Sequence, residues 1–380
     1  MALAKANWNY PTAIRFGAGR IAELPEVCRS LGMARPLLVT DPKLAEMPMV
    51  RAVEAAGLFS AIHANPVGAD VEAGLAAYRS GGHDGVIALG GGSALDVGKV
   101  VAFMAGQTRP LWDFEDKADW WTRADPAGIA PVVAVPTTAG TGSEVGRAGV
   151  ILDEAASVKR IIFHPAMMPQ AVILDPELTV GLPKHVTAAT GMDALSHCLE
   201  AWCAPGYHPM ADGIAAEGTR LIRRWLPRAY ADGSDLEARG HMQVAAAMGA
   251  TAFQKGLGAM HALSHPIGAL CGTHHGLTNA VLMPYVLAFN AEALHERLTR
   301  LAAYLELPDP SPRAVIDWTV GLRRELGIPA RLAELGVQAD QLDRLAAMAE
   351  EDPSAGGNPL PFARAEARQV LEAAVEGRIA

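Results

Sequence analysis

The sequence is poor in cysteine, and its four cysteines form no recognisable motif. Cys28, Cys198, Cys203 and Cys271 include no CxxC pair. A chain of 380 residues can bury a core without disulfide bonds to stabilise it. The N-terminal residues also lack an apolar core followed by a cleavage site, so no secretory signal is predicted. Together these features predict a reduced, cytoplasmic setting.

The sequence also lacks a basic excess and a long uninterrupted apolar run. Its net charge of −9 argues against a general nucleic-acid binder or a membrane-surface protein, which would carry excess positive charge. The most apolar window, "GVIALGGGSALDVGKVVAFMAG", contains Asp96, Lys99 and a glycine cluster, so it is a poor candidate for a membrane span. We therefore expect neither a nucleic acid nor a membrane as a partner.

Short β-branched runs alternate with helical stretches in the first half of the chain. The runs "RPLLVTD", "FSAIHANP", "DGVIALGG", "PVVAVPTT" and "AVILDPEL" are predicted strands. Such alternation is typical of a parallel sheet covered by helices on both faces. We therefore predict an α/β domain over residues 1–180.

The pattern becomes helical after "DPELTVGLPKH". Helical periodicity, broken by Gly and Pro, recurs over six stretches: 211–226, 236–252, 262–271, 291–306, 312–326 and 338–350. This predicts an all-helical domain over residues 181–380. A cleft between two such domains is where a ligand is expected.

Two loops rich in glycine and hydroxyl groups follow predicted strands. "ALGGGSALDVGK" carries Gly91, Gly92 and Ser93 into a helix, and "VPTTAGTGSE" carries several threonines. Glycines let a phosphate approach the backbone, and a helix N-terminus offers it free N–H groups. Asp41, at the end of "PLLVTD", could bind a ribose, as acids at strand ends do in such folds. Structural turns and a helix N-cap by Asp41 are the alternative interpretations.

Histidines and one aspartate recur at helical spacing in the second half. Asp193 and His197 lie four residues apart in "GMDALSHCLEA", and His261 and His265 do so in "MHALSHPIGA". The pair His274 and His275 follows. An Asp–His hydrogen bond would explain the first pair by itself. The whole set suggests a site for Fe²⁺, Zn²⁺, Ni²⁺ or Co²⁺, although spacing does not say which side chains bind.

The ordered motifs "FGAG", "GGGSALDVGK", "PTTAGTGSE", "DPELT", "GMDALSH", "MHALSHPIGA" and "HHGLTNAVLMPYVLAFN" resemble the iron-dependent (group III) alcohol dehydrogenases. The resemblance runs from about residue 11 to the C-terminal "GNP". It implies an NAD-dependent oxidoreductase that interconverts a primary alcohol and an aldehyde. The implied cofactors are NAD and Fe²⁺, or another divalent metal such as Zn²⁺, and the implied assembly is a homodimer.

The resemblance also assigns roles to residues. The implied metal ligands are Asp193, His197, His261 and His275. His265 matches a position that faces the nicotinamide and substrate, and it is the candidate catalytic residue; His274 receives no role. The implied cofactor-binding residues are Asp41, Asn65, Gly91, Gly92, Ser93, Thr137, Thr138, Thr141 and Lys159.

Two cations suggest a substrate that carries an anionic group. Arg147 lies just beyond "GTGSE", and Lys255 precedes His261 by six residues. Arg147 could hold a carboxylate through two hydrogen bonds, with Lys255 adding charge. The region also resembles the 4-hydroxybutyrate dehydrogenase branch of the family, which implies a short ω-hydroxy acid and its semialdehyde. The alternative is that Arg147 pairs with Glu144 or another acid and that Lys255 is solvated.

Three other functions remain open at this stage. Glycerol dehydrogenases and dehydroquinate synthase have related folds, and the first use fewer histidine ligands. A metal-binding protein without activity belongs to a different class. The complete set of Asp193, His197, His261 and His275 favours the alcohol dehydrogenase, and a non-catalytic protein would leave two phosphate-type loops unused.

Overall fold

The computed structural model describes the backbone of residues 6–8 and, in full, residues 11–156 and 158–379. The chain divides into two compact units, residues 1–181 and 182–380. The sequence-based absence of a secretory signal rests partly on residues 1–5, 9 and 10, which lie outside the described part. None of the described helices is both long and apolar enough to span a membrane.

The first unit is built on a seven-stranded sheet in the order β1-β2-β9-β6-β5-β3-β4, and a separate hairpin pairs β7 with β8. Six strands of the sheet are parallel, and β1 runs antiparallel at one edge. The strands are β1 Ala6–Trp8, β2 Ala13–Phe16, β3 Leu37–Val39, β4 Gly57–Phe59, β5 Val86–Gly90, β6 Val132–Pro136, β7 Ala148–Asp153, β8 Val158–Phe163 and β9 Ala171–Leu174. The prediction of an α/β unit with a parallel sheet is confirmed.

The central strands are continuous apolar runs because both of their faces are covered. All five residues of β5 and all five of β6 are buried. The described part of this unit contains five α-helices: α1 Leu24–Ser30, α2 Pro42–Ala45, α3 Pro48–Arg51, α4 Gly68–Ser80 and α5 Gly92–Met104. The run "FSAIHANP" is strand only up to Phe59, where β4 ends, and the rest of it is loop.

The described residues of the second unit form helices and the loops between them, with no strand, as expected. Its helices are α6 Lys184–Cys203, α7 Pro209–Ala231, α8 Leu236–Ala252, α9 Ala259–Cys271, α10 His275–Asn290, α11 His295–Tyr304, α12 Pro312–Glu325, α13 Leu342–Glu351 and α14 Arg364–Glu376. Every residue of α6 from Thr187 to Cys203 is buried, so this helix forms the centre of the unit. Asp193 and His197 therefore face other helices rather than water.

Candidate functional site

Three helices of the second unit bring histidines and an aspartate together. Asp193 and His197 lie on α6, and their exposed fractions are 3% and 5%. His261 lies on α9, and His275 is the first residue of α10. The next residue, Gly276, lets α10 approach α6 closely, since a Cβ there would lie 2.3 Å from a backbone carbonyl oxygen of α6. The glycine thus allows His275 to reach the buried aspartate.

Asp193, His261 and His275 form a compact cluster of potential metal ligands. One ligand atom from each lies within 4.8 Å of the others. Nε2 of His275 is 3.6 Å from Oδ1 of Asp193, and the His261 and His275 ring centroids are 5.2 Å apart. A carboxylate with imidazole nitrogens, and no thiolate, is a donor set that suits Fe²⁺ or Zn²⁺.

His197 lies beside this cluster rather than within its tightest group. Its ring stacks on that of His261, with centroids 4.9 Å apart and planes 19° apart. Its ring also packs against that of Phe253, with the ring centroids 5.0 Å apart. The structure thus brings His197 next to the other three residues, and its role as a fourth ligand stays a prediction.

Asn279, one turn after His275 on α10, reaches the centre of the cluster. Its Nδ2 lies 3.0 Å from Oδ1 of Asp193, 3.4 Å from Nε2 of His261 and 3.2 Å from Nε2 of His275. An amide NH₂ has only two hydrogens for these three acceptors. The convergence of three acceptor atoms on one point is what a cation requires, so the cluster fits a divalent metal.

A buried carboxylate and a partly buried one orient the histidines of α9. Glu200 accepts from the backbone N–H of Met260 through Oε1, and its Oε2 lies 2.6 Å from Nδ1 of His261. Because an ionised carboxylate only accepts, Nδ1 of His261 carries the hydrogen and Nε2 is left to face the cluster. In the same way, Oδ2 of Asp352 lies 2.8 Å from Nδ1 of His265.

Electrostatics keep Asp352 ionised beside His265. Burial alone would raise the pKa of Asp352, but the contact with His265 and the N–H of Ser354 outweigh it and lower that pKa below its ordinary value.

Sequence reasoning missed both carboxylates, Glu200 and Asp352. Glu200 has a local signal, since it is an acid directly flanked by Leu199, Ala201 and Trp202, whereas Asp352 is 87 residues from its partner.

His275 is the accessible member of the cluster, and His265 lies beside it on the same accessible side. Their rings are stacked, with centroids 5.4 Å apart, and their side chains are 17% and 27% exposed. His274 precedes α10 as its N-cap residue. A substrate that enters from solvent therefore meets His265 and His275 before it meets the buried residues.

The two glycine-rich loops meet in the first unit. β3, β5 and β6 are adjacent and parallel, so their carboxyl ends lie at one edge of the sheet. A Cβ at Gly91 would lie 3.5 Å from the Thr138 side chain, and one at Gly92 would lie 2.6 Å from that of Thr141. The backbone N–H of Thr137 also donates to Gly90. The two loops that follow β5 and β6 therefore lie against each other at this edge of the sheet.

Asp41 adopts the capping arrangement that was weighed against ribose binding. Its Oδ1 accepts from the N–H groups of Lys43 and Leu44, 3.0 Å away in both cases. Its Oδ2 lies 3.8 Å from where a Cβ of Gly90 would be. One oxygen thus caps α2 while the other lies beside the first glycine-rich loop, so the two interpretations are compatible.

Asn65 is held near the same loop, and Lys159 lies on the hairpin. The Ser93 hydroxyl donates to the carbonyl of Ala64 at 2.7 Å, which ties the N-terminus of α5 to the exposed Asn65. Lys159 pairs in register with Leu152 across β7 and β8. The roles of Asn65 and Lys159 in cofactor binding stay predictions.

Two charged residues of α5, which the sequence analysis used only as an argument against a membrane span, hold the second loop. Asp96 accepts from the Ser143 hydroxyl and from the N–H of Val150, and the Lys99 ammonium donates to the carbonyls of Ser143 and Ala148. Burial lowers the pKa of Lys99. Asp96 and Lys99 thus fix the course of the chain from 143 to 150.

The two candidate substrate cations have different environments. Arg147 is exposed, its guanidinium lies 5.7 Å from the Phe163 ring centroid, and no described acid pairs with it. Lys255 has a side chain only 2% exposed, and its ammonium pairs with Asp212 at 2.6 Å. Arg147 is therefore available to a ligand, while the charge of Lys255 is already compensated within the protein.

Comparison with known proteins agrees with this architecture. Residues 11–176 match the family "iron-containing alcohol dehydrogenase", and residues 187–375 match its C-terminal domain. The chain is 41% identical to a 4-hydroxybutyrate dehydrogenase of Cupriavidus necator, covering 96% of this chain and 98% of that protein. It is 34% identical to an NAD-dependent methanol dehydrogenase of Bacillus methanolicus, and the match covers 97% of this chain and all of that protein.

Solved structures agree as well. A 1,3-propanediol oxidoreductase aligns with a TM-score of 0.90 at 33% identity, covering 98% of this chain and all of that one. A sulfoacetaldehyde reductase from Bifidobacterium kashiwanohense, solved with NAD⁺, aligns with a TM-score of 0.86 at 28% identity, covering 98% and 99%. All four proteins are oxidoreductases, which confirms the expectation of an enzyme. The chain belongs to the iron-containing alcohol dehydrogenase family, in the branch that resembles the 4-hydroxybutyrate dehydrogenases.

Proposed function

We propose that this alcohol dehydrogenase interconverts 4-hydroxybutyrate, or a similarly short ω-hydroxy acid, and its semialdehyde. The observation that carries the proposal is Arg147, an exposed arginine without a described acidic partner, just beyond the second cofactor loop. Its guanidinium can bind a carboxylate through two parallel hydrogen bonds. The 41% identity to a 4-hydroxybutyrate dehydrogenase supports the same substrate class. Lys255 is not included, because Asp212 already holds its ammonium.

NAD is the proposed hydride acceptor, with its phosphates on the loops at Gly91–Ser93 and Thr137–Thr141. Oδ2 of Asp41, which is not the capping oxygen, would accept from the ribose hydroxyls of NAD and repel the 2′-phosphate of NADP. NAD should therefore be preferred over NADP. A kcat/KM with NADP that equals or exceeds the value with NAD would show that Asp41 is only a helix cap.

Asp193, His197, His261 and His275 are the proposed holders of a divalent metal. A metal ion in such a site supplies a Lewis acid that polarises an alcohol or carbonyl oxygen. His265, accessible and stacked on His275, is the proposed carrier of the alcohol proton, because one of its ring nitrogens faces Asp352 and the other is left to accept a proton.

The substrate proposal is tested by comparing 4-hydroxybutyrate with 1-butanol. Arg147→Ala should lower kcat/KM for 4-hydroxybutyrate by about 10- to 100-fold, equivalent to about 1.5–3 kcal/mol, and leave that for 1-butanol unchanged. Arg29→Ala, which removes an exposed arginine from α1, is the matched control and should change neither. Equal kcat/KM for both alcohols in the wild-type enzyme would contradict the proposal.

A further inference from the structure

Each of the two histidines of α9 has its Nδ1 in contact with a carboxylate from another element. His261 contacts Glu200 of α6, and His265 contacts Asp352, which follows α13. We propose that Asp352 is the positioning residue of the reaction, which fixes the tautomer and orientation of His265. The inference rests on the proposed function, in which His265 carries the alcohol proton.

The two oxygens of Asp352 have separate partners. Oδ1 accepts from the backbone N–H of Ser354 at 2.8 Å, and Oδ2 lies 2.8 Å from Nδ1 of His265. The side chain is only 12% exposed, so water competes little for either oxygen. Because both oxygens are engaged, the carboxylate cannot rotate without losing a partner.

The loop that carries Asp352 is itself anchored to the helices of the site. Asn358, at its other end, exchanges two side-chain hydrogen bonds with Asn290 of α10, at 2.9 and 3.0 Å. Its Oδ1 also accepts from the N–H of Ala259, the first residue of α9, at 3.4 Å. The position of Asp352 is therefore set relative to the helix that carries His265.

This arrangement determines which nitrogen of His265 can react. A carboxylate only accepts hydrogen bonds, so Nδ1 must carry the hydrogen. Nε2 of the neutral ring then carries the lone pair, so it is the nitrogen that can accept a proton and afterwards return it. Stacking on His275 restrains the plane of the ring, while Asp352 restrains its rotation within that plane. The pair thus presents a single basic nitrogen in a single orientation.

The test is Asp352→Asn, which keeps the size of the side chain but places an amide beside Nδ1. An amide NH₂ facing Nδ1 favours the opposite tautomer, as a carboxylate-to-amide change does in other carboxylate–histidine pairs. We expect kcat to fall about 10- to 100-fold, with bound Zn²⁺ and KM for NAD unchanged. In Zn²⁺-loaded protein with ¹⁵N-labelled histidine, the His265 signals should move from an Nδ1-protonated to an Nε2-protonated pattern.

Two control variants separate positioning from other effects. Glu200→Gln disturbs the carboxylate behind a predicted ligand and should lower Zn²⁺ affinity, which Asp352→Asn should not do. Asn358→Ala loosens the loop without touching His265, so its His265 signals should keep the Nδ1-protonated pattern. Unchanged His265 signals in Asp352→Asn, whatever its activity, would overturn the inference and leave Asp352 as a loop anchor.

His265→Ala distinguishes this inference from the proposed function. If His265→Ala retains turnover, the proposed proton carrier is wrong, and the inference fails with it. If His265→Ala loses turnover while Asp352→Asn keeps full kcat, only the positioning role of Asp352 is overturned. Loss of turnover in both variants, with metal retained and the tautomer changed in Asp352→Asn, is the result we expect.

Discussion

At the residue scale, His261 and His275 share one arrangement. In each ring, Nε2 faces the centre of the cluster and Nδ1 contacts a side chain outside it. Nδ1 of His261 contacts Glu200, and Nδ1 of His275 lies 3.3 Å from the Ser264 hydroxyl. Nε2 of both rings faces Asn279 and the aspartate. Supports of this kind fix ring orientation before a metal binds, and their loss typically costs about 10- to 100-fold in metal affinity.

The first prediction separates the ligands from their neighbours. His261→Ala and His275→Ala should each lose most of the bound metal and activity while keeping the fold, because each removes a nitrogen from the cluster. His265→Ala should keep its metal and lose turnover. His274→Ala, next to His275 in sequence, is the matched control and should retain metal. Elemental analysis of the purified variants decides: full occupancy in His261→Ala or His275→Ala would remove that residue from the ligand set.

At the element scale, the site depends on the spacing of α6 and α10. The Cβ that an alanine would add at 276 lies 2.3 Å from the carbonyl oxygen of Ala189 and 2.9 Å from Cβ of Asp193. Both neighbours lie on a buried helix that is packed on several sides. The helices can accommodate a larger residue only by moving apart.

Gly276→Ala should therefore destabilise the protein by about 1–3 kcal/mol, as overpacking does, and weaken metal binding together with stability. Gly213, inside α7, has no atom within 4 Å of an added Cβ. Gly213→Ala is the matched control and should stabilise the protein by about 0.5–1 kcal/mol, since alanine favours helix. Urea unfolding measures the stability change in both variants. An unaltered unfolding midpoint in Gly276→Ala would contradict the close approach of α6 and α10.

The elements also differ in how far the sequence predicts them. α7 was predicted to within five residues at each end, since its apolar positions follow a helical period, and α8 was predicted with its observed bounds. α10 was not among the predicted runs, because it contains Pro284 and is buried on nearly every side, which removes the alternation of apolar and polar residues. The β7–β8 hairpin was also missed.

At the scale of the whole molecule, each unit brings together residues that are remote in sequence. Asp193, His261 and His275 could be named from the sequence because the motifs that carry them resemble those of a known family, whereas their spacing alone did not say which side chains meet. Glu200 and Asp352 could not be assigned, since their roles depend on contacts across 61 and 87 residues. Sequence patterns report local periodicity, whereas the supporting contacts depend on how helices pack.

Global stability should depend on pH through Glu144, which is 2% exposed. Burial raises its pKa from an ordinary 4.5 to about 7, although Lys99 nearby opposes the shift. Between pH 4.5 and 7 the unfolded chain ionises this group and the folded protein does not, so stability falls as pH rises across that window. The loss should be on the order of 3 kcal/mol and complete above about pH 7.

Glu144→Gln should remove this pH-dependent loss of stability. The unfolding free energy of the variant should therefore change less between pH 4.5 and 7 than that of the wild type. Glu350→Gln, which neutralises an exposed acid of α13, is the matched control and should keep the wild-type dependence. Urea titrations at a series of pH values provide the measurement. Parallel profiles for the wild type and Glu144→Gln would show that Glu144 does not carry the effect.

The contact between the two glycine-rich loops has a consequence for how this chain can change over evolution. A side chain at 92 would overlap Thr141, whose Cγ2 lies 2.6 Å from the added Cβ. A larger residue at 92 becomes tolerable only when 141 becomes smaller, so neither position is free to drift alone. Contacting positions of this kind vary as a pair among homologues. We therefore expect 92 and 141 to covary, although 49 positions separate them.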